Sequence, residues 1–486
     1  MVLRIINYFF LLFLFSSCRK DKGEIDYSDT HYPQNIAKII SRSCAVTGCH
    51  NQISKGAAAN LSLSTWENLF QGASGGPVVI PYRPDFSTLC FYTNSFSELG
   101  PISNPSMPIN ATPLTREEYL CIKNWILDGA PDYKGRIKFA DNPNRSKFYI
   151  TNQLCDVVTV IDAETKLPMR YINVGNLALT DFPVCLKVSP DKNSWYVSFL
   201  ALNGFLQKYN CTDDSYLSQV SLGTGVWSSF DISSNSQYGF CIDNSSTGRV
   251  SVVDLNSMNI ITTYTSPNFY YPKNAAIQNS LSKLYLGADN GNYISVIDYS
   301  VITSPVIKEI ILDGTSVLNT TTANGPANLL VDEFYNRCYV SCANTSEIKV
   351  IDTSKDSVIT SIPLNAGPGM LVLSPQKKLL FVSCMNDSIS FPGNKGSVKV
   401  IDLQTLTIKK TLYSGYQPNG LSVNDLRQYV LVVNSNINPA GPAPHHVSGC
   451  GGRNGYVSYI DLNSLEMIPS KRFELATYPY SAAIRK

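Results

Sequence analysis

The stretch Val158-Thr159-Val160-Ile161-Asp162 recurs through most of the chain, and that recurrence restricts the fold more than any other feature. It returns as Val250–Asp254, Ile294–Asp298, Ile348–Asp352, Val398–Asp402 and Val457–Asp461, with a degenerate copy at Leu206–Asn210. The seven copies stand 48, 44, 44, 54, 50 and 59 residues apart. Each has the period-two alternation of a short strand. A second strand-like phrase precedes each copy, as in Phe148–Asn152, Tyr339–Cys342 and Phe381–Cys384. A third opens each unit, mostly at proline: Pro183, Val226, Pro272, Pro326, Pro368, Pro418 and Pro479.

Four short strands in a unit of about 40–50 residues describe one blade of a β-propeller. Residues 147–486 therefore read as a seven-bladed ring, and the phrases Tyr149-Ile150-Thr151-Asn152 and Val-x-Val-Ile-Asp resemble the YVTN-repeat family of seven-bladed propellers. The unit at 147–174 lacks a first strand, while Pro479–Ile484 is a first strand with no blade after it. Pairing the two closes the ring and removes the exposed edges of a partial one. The Asp and Asn residues at strand ends suit turns. Cys185, Cys241, Cys338, Cys342 and Cys384 fall in or beside strands, where free cysteine packs as a small apolar group.

With strands ordered a-b-c-d, the b–c and d–a loops emerge on one face. The insertions 386–397, 435–455 and 313–325 all fall there, and long loops on a rigid scaffold commonly carry function. The second holds His445, His446 and Cys450, which could present a metal, a second haem or a substrate, or be ordinary surface residues.

At the N-terminus, Arg4 precedes an apolar run from Ile5 to Phe15, then Ser16, Ser17 and Cys18. This is the layout of a secretory signal and is short for a membrane span. It resembles a bacterial lipoprotein signal over 1–18, which implies lipid on Cys18 and a periplasmic or outer-membrane-anchored place in the cell envelope. An ordinary cleaved signal or an uncleaved anchor is the alternative. No other segment reads as a span.

Between residues 32 and 134, Ile36, Ile39 and Ile40 share a helical face that leads into Cys44-Ala45-Val46-Thr47-Gly48-Cys49-His50. A cysteine pair followed at once by histidine is the attachment signature of c-type haem: two thioethers to the ring and His50 on the iron. Four residues separate the cysteines where two are usual, and Gly48 gives the longer loop freedom to bulge. Met107, between Pro105 and Pro108, is the candidate second axial ligand, with His31 its rival. Thr115-Arg116-Glu117-Glu118 reads as a capping box before a helix with Tyr119, Ile122 and Ile126 on one face, closed at Gly129. A Cys44–Cys49 disulfide is the alternative for the motif. Cys90 and Cys121 read as a disulfide or as two buried thiols.

In order, Cys44…Cys49-His50, Leu61–Trp66 with Gly72, Pro81 to Ser87, Met107-Pro108 and Leu114…Ala130 resemble bacterial periplasmic c-type cytochrome domains found fused to other modules. The resemblance implies a mainly β protein whose propeller follows a small all-α, class I-like cytochrome c domain (32–134) and a linker (135–146). It implies one covalent haem c and an anchored electron carrier whose propeller docks a redox partner protein or a small-molecule ligand. The alternatives are a redox enzyme with its site at the 435–455 loop face, or a non-catalytic surface-binding module. Nucleic acid is not expected as a partner, since 39 Lys and Arg balance 37 Asp and Glu.

Overall fold

The computed structural model describes residues 26–176, 180–321, 324–444 and 450–486. Cys18, His445 and His446 lie outside them. Among the described residues, strands β1–β28 form seven four-stranded antiparallel sheets. Blade 1 combines β28 (Pro479–Arg485) with β1 (Lys147–Asn152), β2 (Val157–Asp162) and β3 (Pro168–Asn173). Blades 2 to 7 take β4–β7 (183–224), β8–β11 (227–265), β12–β15 (272–311), β16–β19 (326–363), β20–β23 (371–412) and β24–β27 (418–477). The expected closure is present. Phe148 pairs with Ile484, Tyr149 with Ala483 and Ile150 with Ala482 across the β1–β28 ladder.

Burial follows from blade stacking. β1 and β2 are buried at every position because both faces meet neighbouring blades. Outer strands such as β15 (Val306–Ile311) and β23 (Thr407–Leu412) are mostly exposed or half-buried. The aspartates that end the repeat phrases act in turns, as expected. Oδ1 of Asp254, Asp352, Asp402 and Asp461 accepts backbone N–H groups two and three residues on. Four residues after the phrase, Lys166, Asp214, Met258, Asp356, Leu406 and Leu465 take left-handed backbone with φ of 50° to 68°. Two of these residues also join blades. Asp214 in blade 2 holds Lys147 Nζ at 2.9 Å and the Tyr149 hydroxyl at 2.9 Å, both from β1. Asp356 in blade 5 holds Lys283 Nζ and the Tyr285 hydroxyl of blade 4 in the same way, at 2.7 and 2.6 Å.

The segment before the ring carries four short helices: α1 (Gln34–Ser43), α2 (Trp66–Leu69), α3 (Thr88–Thr93) and α4 (Arg116–Leu127). Ile36, Ile39 and Ile40 of α1 and Tyr119, Ile122 and Ile126 of α4 are buried together, as their spacing requires. This core is continuous with that of blades 1 and 2, reaching Tyr149, Val160 and Met169 in the first and Trp195 in the second. The segment covers β3, which explains why that outer strand is largely buried. Phe86 stacks on Tyr171 at 4.1 Å, and Arg83 Nη1 donates to the Tyr171 carbonyl at 2.7 Å.

The stretch 135–146, read above as a linker, is packed against both neighbours. Phe139 is buried in the shared core, Arg145 pairs with Asp162 at 2.9 Å, and Arg485 Nη1 donates to the Pro143 carbonyl at 2.6 Å. Polar composition concealed this because the partners lie far along the chain.

Two stability predictions follow from this architecture. Deleting 479–486 leaves blade 1 with three strands and bares the inner edge of β1. The thermal midpoint of the propeller is expected to fall by about 10 °C or more, and an unchanged midpoint would refute closure by β28. Lys147→Met leaves the Asp214 carboxylate buried without its cation and should cost about 3–5 kcal/mol in urea unfolding. Adding Asp214→Asn should restore most of that loss, since Asn tolerates left-handed backbone.

Candidate functional site

Helix α1 delivers the cysteine motif. Its apolar face buries Cys44 at the last turn, where the Cys44 N–H donates to the Ile40 carbonyl at 2.9 Å. The chain then closes on itself: the His50 N–H donates to the Cys44 carbonyl at 3.1 Å, and Cys49 N–H to that of Val46 at 3.1 Å. Gly48 sits at φ 86°, so the longer loop does bulge at its glycine. The His50 carbonyl accepts from Leu63 N–H at 2.8 Å, tying the turn to the Leu61–Trp66 stretch. Trp66 Nε1 in turn donates to the Ala130 carbonyl at 2.9 Å, just past α4.

Helix α4 has the expected ends. Thr115 Oγ1 accepts from Glu118 N–H at 3.2 Å while Glu118 Oε2 accepts from Thr115 N–H at 3.0 Å. Past the other end, Ala130 N–H bonds to the Trp125 carbonyl and Gly129 N–H to that of Ile126, with Gly129 at φ 96°. Met107 lies in the irregular loop between α3 and α4. Its N–H donates to the Tyr92 carbonyl at 2.7 Å, which anchors the loop to α3. His31, the rival ligand, is engaged elsewhere: Nδ1 is 2.9 Å from Glu67 Oε1, and the ring stacks on Tyr133.

A covalently attached haem needs two free thiols, a neutral imidazole with an open nitrogen, a second donor and apolar surface to cover. Cys44 and Cys49 are both unbonded, so the alternative of a disulfide between them is not realised. His50 Nδ1 is buried with no hydrogen-bond partner among the described residues. Burial also lowers the His50 pKa, favouring the neutral ring that binds metals. Ile53, Ile102 and Ile109 stand 95%, 50% and 50% exposed on the cysteine and Met107 loops. These residues fit such a group. Among the described residues no three His, Cys, Asp or Glu side chains gather as a site for a bare metal ion.

The remaining cysteines divide differently from the expectation. Cys90 and Cys121 are separate thiols: burial pushes Cys90 up to about 12, and Cys121 Sγ accepts from Asn35 Nδ2 at 3.2 Å. The five strand cysteines are buried and free, as their positions imply. Cys450 is corrected. It is bonded to Cys155, 295 residues earlier, so it offers no thiolate for a metal shared with His445 and His446. Cys155 lies in the b–c turn of blade 1 and Cys450 in the b–c insertion of blade 7, so the bond crosses the seam where the ring closes. One signal pointed to Cys155: it sits in the polar turn Gln153–Asp156, unlike the strand cysteines.

A disulfide closing so long a loop contributes on the order of 5 kcal/mol in the chain-entropy account, less where β28 already holds the seam. Cys450→Ser is therefore expected to lower the thermal midpoint by several degrees, and reduction to add two alkylation sites. Equal melting of wild type and variant, with no extra site on reduction, would refute the bond.

No protein-family model matches the chain. A stretch of 103 residues, 20% of the chain, is 36% identical to Antigen Lp49 of Leptospira interrogans. The match spans only 23% of that relative's length. Among solved structures, a functionally unknown protein from Desulfotomaculum acetoxidans aligns with a TM-score of 0.52 at 13% identity, covering 70% of this chain and 98% of that one. That likeness concerns the fold alone, and it agrees with the seven-bladed propeller built strand by strand above.

Proposed function

We propose that the chain is an exported, membrane-anchored c-type cytochrome that transfers electrons, with its propeller as the docking platform for a redox partner or ligand. The observation that carries this reading is the closed Cys44–His50 turn, whose imidazole keeps a buried nitrogen open. The Cys44 and Cys49 thiols would hold the haem covalently, each through one thioether bond. His50 and Met107 would hold the iron. When bound, haem supplies a one-electron iron couple. Ile53, Ile102 and Ile109 would exclude water around it and favour the less charged, reduced state. Packing of the helical segment on β3 ties that segment to the ring. Lipid on Cys18 would keep the assembly at the envelope membrane. Among the described residues no helix is long and apolar enough to cross one.

Expression with the haem-maturation machinery tests the reading. Haem should remain attached through denaturing electrophoresis, and Cys49→Ser should leave a single thioether. Met107→Ala should abolish the weak sulfur-to-iron absorption and lower the reduction potential, whereas His31→Ala should change neither. Protein recovered without covalent haem would overturn the assignment, and an unaltered spectrum in Met107→Ala would overturn the second ligand.

A further inference from the structure

On the face where the b–c and d–a loops emerge, blades 1 to 3 carry a patch of exposed apolar side chains. Leu154, Phe182, Leu200, Leu202 and Val226 are 40%, 36%, 37%, 80% and 44% exposed. Backbone hydrogen bonds hold their connections side by side. Leu200 N–H donates to the Phe182 carbonyl at 3.1 Å, and Gly225 N–H, next to Val226, donates to that of Leu202 at 3.3 Å. Phe182 N–H donates to Asp156 Oδ1 at 3.0 Å, which joins the turn that bears Leu154. Single apolar residues are ordinary on a surface, whereas a contiguous group marks a contact.

Two further features set the patch apart. The carboxylates beside it are engaged within the fold. Asp156 also accepts from Asp181 N–H, and Asp181, itself 7% exposed, accepts from Asn176 N–H. Asp243, 2% exposed, accepts from Val226 N–H and pairs with Arg249. The connections 200–202, 225–226 and 244–248 contain no Lys, Arg, Asp or Glu. In addition, Phe182 is held at φ 55°, a left-handed backbone that disfavours a bulky side chain. Asp156 accepts both N–H groups at that bend, so the fold maintains a strained residue whose aromatic side chain reaches the surface.

We propose that this patch pairs with its own copy, making the protein a reversible two-fold dimer joined across blades 1 to 3. A surface of this kind favours a partner that is apolar and carries no free charge, because a charge pressed against it would lose water and gain no counter-charge. The patch itself meets that description, and in a two-fold contact it faces its own copy without repulsion. It has no cation to meet lipid phosphates, which disfavours a membrane as the occupant. Leu202, the most exposed of the five, is the anchor of the contact. Five side chains make an interface at the small end of the range, so association is weak. The inference goes beyond the redox reading and involves neither haem nor lipid.

Sedimentation velocity tests it on the whole chain from Arg19, exported behind an ordinary cleavable signal in place of residues 1–18. A monomer–dimer equilibrium with a dissociation constant on the order of 10 µM is expected. Contact without ion pairs should hold that constant within about twofold between about 0.05 and 0.5 M NaCl. Leu202→Asp, at an exposed position, should keep the melting midpoint and weaken the dimer about tenfold or more. Phe182→Asn, which accepts left-handed backbone, should weaken it about three- to tenfold. Leu426→Asp, at a 74% exposed position on the opposite face, should leave it unchanged. A monomer at about 200 µM, a dimer unaffected by Leu202→Asp, or one dissolved by Leu426→Asp would overturn the proposal. Monomeric protein that instead floats with phosphatidylcholine vesicles would overturn it in favour of lipid. Haem-free protein should dimerise identically, so loss of the dimer and loss of covalent haem are read separately.

Discussion

Pairing of the last strand with the first holds seven blades in a ring. β28 supplies to β1 the inner neighbour that the opening of the repeat does not encode, and Phe148, Tyr149 and Ile150 find their partners more than 300 residues away. Everything at the seam depends on this ladder. It brings the b–c loops of blades 1 and 7 close enough for Cys155 to reach Cys450, and it seats Arg485 against the Pro143, Lys192 and Cys211 carbonyls. Contacts between successive blades, such as Lys147 and Tyr149 on Asp214, then pass the constraint around the ring.

The parts of this architecture legible in the sequence are those specified locally and repeated. An apolar alternation ending in Asp states both a strand and its turn, because the carboxylate accepts N–H groups only two or three residues on. Repetition adds the blade count, and the orphan first strand at Pro479 discloses the closure. The helix ends at Thr115 and Gly129 were equally readable, as capping needs only neighbours. Cys155–Cys450 was not, since nothing in the 435–455 loop names a partner in blade 1. The packed segment at 135–146 was hidden for a similar reason: Arg145 looks solvated until Asp162 is placed beside it. Within the Cys44–His50 turn, Cys44, Gly48 and His50 were legible from order alone. The open nitrogen of His50 and the engagement of His31 by Glu67 required three dimensions.

The apolar patch on blades 1 to 3 shows the same division. Its five side chains are scattered over four connections, none of which reads as a motif. Only the stacking of blade on blade assembles them, and only three dimensions reveal that Asp156, Asp181 and Asp243 are engaged within the fold. Departures from the repeat therefore indicated which face would differ, through the positions of the insertions, without indicating which residues would meet there.

The helical segment and blade 1 share one hydrophobic core, and the stretch joining them is pinned by Phe139 and Arg145. The cysteine turn consequently makes no tethered search over the ring. Turn and ring behave as one solid, and anything exchanged between them crosses a gap set by side-chain packing, insensitive to solvent viscosity and to the length of the joining segment.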